Sequence, residues 1–376
     1  MLDFEAGYCK KCIMKKGNPG LTLDHEGVCS LCNPTNTISA VDNGMDEVRK
    51  NLDEYYQYIR SPREVRHYDC LVMLSGGKDS IYMLYKLLNE GVRPLVFTLN
   101  HPFESKFALK NIEKVSEKLE FDHLNYTLLV GLYKKLMKIA FLRRQEEVAP
   151  ETVMNEKTPC SICTSVIRIT AFITAAKMGI PFIVYSADQQ QIPPNAKWQI
   201  KNIITSFNNF CGVNYHQKIF GLQLDEYLTL PDHEIPRFVF PYLDHTDYNA
   251  NRIIAELKDL GLYESSPWET HCSLHSLLNY YAIRRYDMFI YTTFIRTQVV
   301  AGTISREALI RFIEDYKKLY LEVITKEELD AAEKEHLLEF LKFLHPQGGS
   351  TLEFEYQDLL SLRKTAKILD LDLSEI

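Results

Sequence analysis

The chain has 376 residues, a hydrophobic fraction of 46%, a charged fraction of 25% and a formal net charge of −7. That length and balance allow a full buried core, which excludes a disordered or fibrous chain, and the acidic balance argues against a broad basic nucleic-acid surface. No stretch reaches the roughly 18 consecutive apolar residues of a membrane span, and the acidic start Met1-Leu-Asp-Phe-Glu5 reads as neither a signal nor a transit peptide.

A cytoplasmic protein with no membrane partner is therefore expected. In that reducing compartment nine cysteines point to metal ligands before disulfides. Cys9-x-x-Cys12 and Cys29-x-x-Cys32 come first, and the turn-forming Gly17, Pro19, Gly20 and Gly27 lie between them. Two tight turns, each presenting two thiolates, satisfy a tetrahedral Zn²⁺ with no open position, so residues 1–40 read as a structural zinc ribbon. A redox pair or an iron centre is the weaker alternative.

Residues 41–65 form a linker followed by a polar, Tyr-rich helix over 45–60. An α/β alternation then sets in and defines a domain over 66–245. Strands are expected at 69–74, 93–99, near 123–129 and at 180–186, and helices at 80–90, 105–119, 131–144 and 161–178. All the strands read as buried, which suits a parallel sheet with its ligand at the carboxyl ends. From 246 to 376 the pattern is helical, with apolar periods over 247–260, 272–285, 305–322, 326–343 and 356–368.

The run Asp69-Cys-Leu-Val-Met-Leu-Ser75-Gly76-Gly77-Lys78-Asp79-Ser80 is the most informative one. An apolar strand, a glycine turn and an amphipathic helix in that order aim backbone N–H groups and the positive end of a helix dipole at an anion. Ser75 and Ser80 offer hydroxyls, Lys78 offers a charge, and Lys78 and Asp79 are expected on an exposed loop. The spacing is not that of a Walker A loop. The run resembles the PP-loop of ATP pyrophosphatases, which adenylate a substrate oxygen and release pyrophosphate. The resemblance implies ATP and Mg²⁺ as cofactors, with Ser75 through Ser80 as the ATP loop and Asn100 beside the adenine. A simple loop at Asn100-His101-Pro102 is the alternative.

A second cysteine set is Cys160-x-x-Cys163, which opens a helix, and the distant Cys272. Three thiols are one short of a closed metal site, and an open position is a functional feature. The alternative is that these cysteines only pack in the core. Cys70 reads as core and Cys211 is unassigned. Lys134, Lys135, Lys138, Arg143 and Arg144 crowd one helix, as a solvated face or as an RNA track. Arg168 reads as a phosphate contact or a surface salt bridge, and His271 and His275 as core or metal-supporting groups.

Two further resemblances are specific. Tyr8-Cys-Lys-Lys-Cys12, Pro19-Gly-Leu-Thr-Leu-Asp24, Glu26-Gly-Val-Cys-Ser-Leu-Cys32 and Gly302-Thr-Ile-Ser-Arg-Glu-Ala308 look like the N-acetyl sugar amidotransferase family, whose members draw ammonia from a glutaminase subunit. Cys160, Cys163 and Cys272 instead resemble the iron–sulfur-dependent tRNA thiolation enzymes. That likeness implies that the three cysteines hold a 4Fe–4S cluster and that Asp188 acts near the reaction together with Lys78 and Asp79. The expected function is an ATP-dependent sulfurtransferase acting on a small-molecule acceptor, with sulfide or a sulfur-donor protein as the second partner. The alternatives are the amidotransferase and tRNA thiolation, and a homodimer is left open.

Overall fold

The computed structural model describes residues 7–18, 21–33, 43–62, 67–142, 159–187, 199–211, 231, 234–244, 249–264, 272, 274–288, 292, 296, 299–300, 302, 305–324 and 366–372. Contacts divide the chain into two units. One comprises Met1–Ser39, Met137–Cys160 and Ser273–Ile376, and the other Ala40–Leu136 and Ser161–Cys272.

The larger unit is an α/β layer built on a five-stranded parallel sheet, in agreement with the α/β alternation of the sequence. Its strands are β1 (Cys70–Met73), β2 (Pro94–Asn100), β3 (Asp122–Thr127), β4 (Phe182–Val184) and β5 (Arg237–Val239), arranged in the order β3-β2-β1-β4-β5. The chain steps outward on one side from β1 to β3 and then crosses to β4, so the order reverses between β1 and β4. In such sheets the crevice outside the carboxyl ends at the reversal is where ligands sit.

The central strands are fully buried, as their apolar runs require. Strand β3 departs from that expectation. It is an edge strand, and five of its six residues are exposed; its sequence Asp-His-Leu-Asn-Tyr-Thr has the polar composition that an edge tolerates. Asp69 ties β1 to β2 before the ladder begins, because its carboxylate accepts the Arg93 N–H at 2.8 Å and its own N–H reaches the Arg93 carbonyl at 2.8 Å.

Helices α1 (Asn43–Arg60), α2 (Lys78–Asn89), α3 (Lys106–Lys118), α4 (Val130–Leu142) and α5 (Pro159–Lys177) follow the predicted spans within a few residues. Ser105 caps α3 by accepting the Ala108 N–H, and Ile112 and Val115 supply its buried face. The sequence pattern did not single out α6 (Ile200–Cys211) or β5. Helix α7 (Ala250–Asp259) begins at the Asn249 cap. Among the described residues no helix is long and apolar enough to cross a membrane.

In the other unit the N-terminal ribbon packs on α8 (His275–Tyr286) and α9 (Arg306–Ile324). Lys317 of α9 is only 3% exposed. Its ammonium lies 2.6 Å from Asp287 and 2.6 Å from Glu314, and Lys15 of the ribbon reaches the same two carboxylates. Tyr8 donates to Glu314. A buried ammonium is stable only when paired in this way. The expected helix over 326–343 and most of that over 356–368 lie outside the described residues, as do Arg143, Arg144, His271 and the side chains of Cys211 and His275.

Candidate functional site

The run after β1 folds as a tight loop that feeds α2. Gly76 has φ +76°, in the left-handed region, and a Cβ there would lie 2.4 Å from the Ala108 carbonyl oxygen of α3, so only glycine fits. Gly77 caps α2 without any side-chain hydrogen bond, which leaves the positive end of the helix dipole facing the crevice.

Ser80 turns inward. Its hydroxyl donates to the Gly77 carbonyl at 3.0 Å and accepts from the Ser75 N–H at 3.2 Å and the Ser75 hydroxyl at 3.1 Å. Ser80 therefore closes the loop, and Ser75 is exposed although its hydroxyl is tied to Ser80. Lys78 and Asp79 lie in the first turn of α2, with side chains 14% and 17% exposed and paired at 3.2 Å. The expectation of an exposed loop at these two residues is thus corrected, because the helix starts two residues earlier, at Lys78, and half-buries both.

Three contacts hold the loop from behind, and none was visible in the sequence. Asn111 of α3 is 1% exposed. Its amide donates to the carbonyls of Gly76 at 3.1 Å and Glu264 at 3.0 Å, while its oxygen accepts the Glu264 N–H at 2.7 Å. Tyr242 donates to the Asp79 carbonyl at 3.0 Å, and Thr98 to the Leu74 carbonyl at 2.8 Å. A buried amide with every group used fixes a backbone more strongly than packing alone. Asn100 ends β2, and its amide reaches Thr127 of β3 at 3.5 Å. Asp188 lies outside the described residues, one position beyond the buried Ala187 that follows β4.

The turn after β2 builds a second cluster in the same unit. His101 stacks on Tyr133 of α4 with centroids 5.5 Å apart and 17° between the planes, and Phe103 packs beside both. Tyr133 donates to the Cys163 sulfur at 2.8 Å. Glu104 forms an antiparallel bridge with Cys272. Burial lowers His101 to about 4, raises Glu104 to about 7 and pushes the Cys163 thiol up to about 11, the Tyr133 hydroxyl opposing that last shift and the Glu104 charge adding to it. Cys160 is exposed one helical turn before Cys163. Arg168, further along α5, covers the Tyr185 ring at 5.0 Å and donates to the Tyr185 hydroxyl at 3.3 Å.

The ribbon cysteines form a tighter site. The sulfurs of Cys9, Cys12, Cys29 and Cys32 all lie within 4.8 Å of one another, and among the described residues this is the one such group of three or more ligand atoms. The Cys12 and Cys29 sulfurs are 3.7 Å apart, close to the about 3.8 Å edge of a tetrahedron with Zn–S bonds of about 2.3 Å. Backbone N–H groups of Lys11, Met14 and Cys29 point at the sulfurs of Cys9 and Cys12. Cys12 and Cys29 share a proton, which lifts Cys12 and lowers Cys29 to about 5; a divalent ion replaces that proton. Arg306 donates from Nε to the carbonyls of Cys9 at 2.8 Å and Cys12 at 3.1 Å. The four residues fit a tetrahedral thiolate ion.

The downstream thiols are not gathered so tightly. A four-iron cluster carries each thiolate on a different iron, so a wider set suits it better than a single ion.

No family model and no curated protein matches the chain. Solved structures do. A U34-tRNA thiolase NcsA from Methanococcus maripaludis, determined with its 4Fe–4S cluster, is similar at 16% identity over 81% of this chain and 88% of that one, with a TM-score of 0.32. An NMN synthetase from Francisella tularensis is similar at 12% identity over 58% of this chain and 96% of that one, with a TM-score of 0.27. At those values neither decides the chemistry of this chain.

Proposed function

We propose that this chain is an ATP-dependent sulfurtransferase that adenylates a carbonyl oxygen of a small molecule, a nucleobase or nucleotide, and replaces that oxygen with sulfur, releasing pyrophosphate and then AMP. The observation that carries this reading is that an anion loop and a thiol-bearing cluster follow neighbouring strands, β1 and β2, of one parallel sheet.

The carbonyl oxygen of an amide-like group leaves poorly. Attack of that oxygen on the α-phosphorus of ATP expels pyrophosphate, and the oxygen then departs with AMP when sulfide adds to the carbon. The Ser75–Gly77 backbone and the start of α2 bind the developing phosphate charge, Lys78 neutralises it, and Asp79 is the carboxylate available to Mg²⁺. Asn111 and Tyr242 hold that loop in place, so little reorganisation accompanies the reaction. Cys160, Cys163 and Cys272 are the residues that hold a 4Fe–4S cluster in this reading. When bound, such a cluster supplies a soft-metal position for a sulfur nucleophile. Cys9, Cys12, Cys29 and Cys32 hold a structural Zn²⁺. The acceptor is a small molecule, and sulfide or a donor protein brings the sulfur.

The test is anaerobic turnover with ATP, Mg²⁺, sulfide and candidate nucleobases, followed by mass spectrometry. A product heavier by the difference between sulfur and oxygen, formed with AMP and pyrophosphate, is expected. Lys78→Ala is expected to slow pyrophosphate release roughly 100-fold or more while leaving the far-ultraviolet circular dichroism unchanged. Release of ADP and phosphate overturns adenylation. An amidine formed from ammonium by iron-free protein replaces sulfide with ammonia and makes the chain an amidotransferase.

A further inference from the structure

Three carbonyl groups of the phosphate loop are held from behind by side chains, and one of the holders leads to a histidine that belongs to no motif. Thr98 of β2 is 1% exposed and donates its hydroxyl proton to the Leu74 carbonyl at 2.8 Å. Leu74 lies past the end of β1, directly before Ser75. The same Thr98 oxygen lies 2.9 Å from Nε2 of His123, the one residue of β3 that is not exposed. In the parallel ladder His123 pairs with Val96, two residues before Thr98. Its Nδ1 faces the Ser116 hydroxyl of α3 at 3.4 Å. A hydroxyl has one proton, and Thr98 gives it to a carbonyl that can only accept. The Thr98 oxygen therefore accepts from the histidine, which puts the ring proton on Nε2 and leaves Nδ1 to accept from Ser116. Burial lowers the imidazole from its usual range, which keeps the ring neutral.

We propose that His123 is a positioning residue for the nucleotide loop, acting through Thr98 on the carbonyl that opens it, a role that rests on the ATP reading of the preceding subsection. Leu74, Gly76 and Asp79 are fixed through their carbonyls by donors from β2, α3 and the segment after β5. A carbonyl turned to the crevice repels a phosphate, so tying it back keeps the N–H side of the loop available to the anion. Asn111 and Tyr242 act directly. Thr98 acts with a hydroxyl, which rotates unless its oxygen is also engaged, and the His123 N–H engages it. A hydroxyl that accepts as it donates is polarised into a stronger donor. Strand β3 thus contributes to the loop although it lies two strands from β1.

The test combines calorimetric titration with Mg²⁺ and ATP and nitrogen-15 NMR of the histidine rings. In wild type the His123 signals, identified by their loss in His123→Gln, are expected to show a protonated Nε2 and a bare Nδ1. His123→Leu is expected to bind ATP about tenfold more weakly, the size of one lost hydrogen bond. Thr98→Val is expected to weaken binding equally, and the double variant to lose no more than either single one. Glutamine retains an N–H donor, so His123→Gln is expected to stay within about twofold of wild type. That rescue separates positioning from packing, since a residue needed only for its bulk is served as well by leucine. If His123→Leu does not fold, Thr98→Val and the wild-type tautomer decide the matter. Wild-type ATP affinity in His123→Leu or Thr98→Val, His123→Gln as weak as His123→Leu, additive losses in the double variant, or a wild-type ring protonated on Nδ1 alone overturns the positioning role. Wild type that binds no ATP overturns the nucleotide reading itself and this role with it.

Discussion

The two cysteine sites of this chain contrast in how they are encoded. In the ribbon all four ligands lie within 24 residues, Cys9 to Cys32, and they meet within 4.8 Å. Short turns and backbone N–H groups place every sulfur, and the ribbon's own small core of Met14, Leu21 and Val28 packs around them. The downstream thiols sit on α5 and on the segment before α8, and the residues beside them, Glu104 and Tyr133, come from two further elements. A closed, local site folds with its metal, whereas a dispersed one is assembled by the sheet and can leave a ligand position for function.

Removing the ribbon metal tests the contrast most severely. Since a segment of this size has no adequate core, a tight chelator is expected to release about one zinc per chain and to open residues 7–33 to protease. The same treatment should leave the sheet's circular dichroism intact. Zinc analysis with limited proteolysis reads both, and a ribbon that stays protease-resistant after complete zinc loss means that its core suffices alone.

Gly76→Ala probes the opposite case, where tertiary packing dictates the residue. The added Cβ meets the Ala108 carbonyl at 2.4 Å and the backbone is left-handed, so a loss of about 3 kcal/mol in denaturant unfolding is expected, along with weaker ATP binding by calorimetry. Wild-type stability in this variant means that α3 does not press on the loop.

Acid stability separates the dispersed cluster from the ribbon by a smaller effect. Burial lowers His101 from its usual 6.5 to about 4, so the unfolded chain binds a proton that the folded one refuses. The stabilising contribution is complete above pH 6.5 and is lost as pH drops toward 4, the loss reaching about 3 kcal/mol below that. Unfolding of metal-free wild type and His101→Gln across that range isolates the effect from Glu104, which is raised to about 7 and titrates with the opposite sign. Parallel curves for the two proteins would place His101 in solvent. The smallest change is expected from Tyr133→Phe, which removes the donor to Cys163. It is expected to cost about 1 kcal/mol and to alter the alkylation rate of that thiol, with no effect on zinc content.

Much of this was legible in the residues. The spacing of Cys9, Cys12, Cys29 and Cys32 specified a four-thiolate site because its ligands are close in sequence. The run Leu74 to Ser80 specified a strand, a glycine turn and a helix because Gly76 and Gly77 allow little else. The spans of α3 and α5 followed from apolar period to within two residues. Less legible were β3, which reads as a strand but lies exposed at the edge, and Ser80, whose hydroxyl is used inside the loop.

What the sequence by itself determined is therefore the set of local devices: the thiolate knuckles, the anion loop and the α/β alternation. Periodicity and turn chemistry act over a few residues, and that range is enough to set them. Only the tertiary structure decided the strand order β3-β2-β1-β4-β5, the grip of Asn111 on Gly76 and Glu264, and the pairing of Glu104 with Cys272. Those contacts join residues far apart in the chain. Their partners are chosen by which faces remain to be buried and which polar groups remain to be satisfied once the sheet has formed, and no local pattern carries that information.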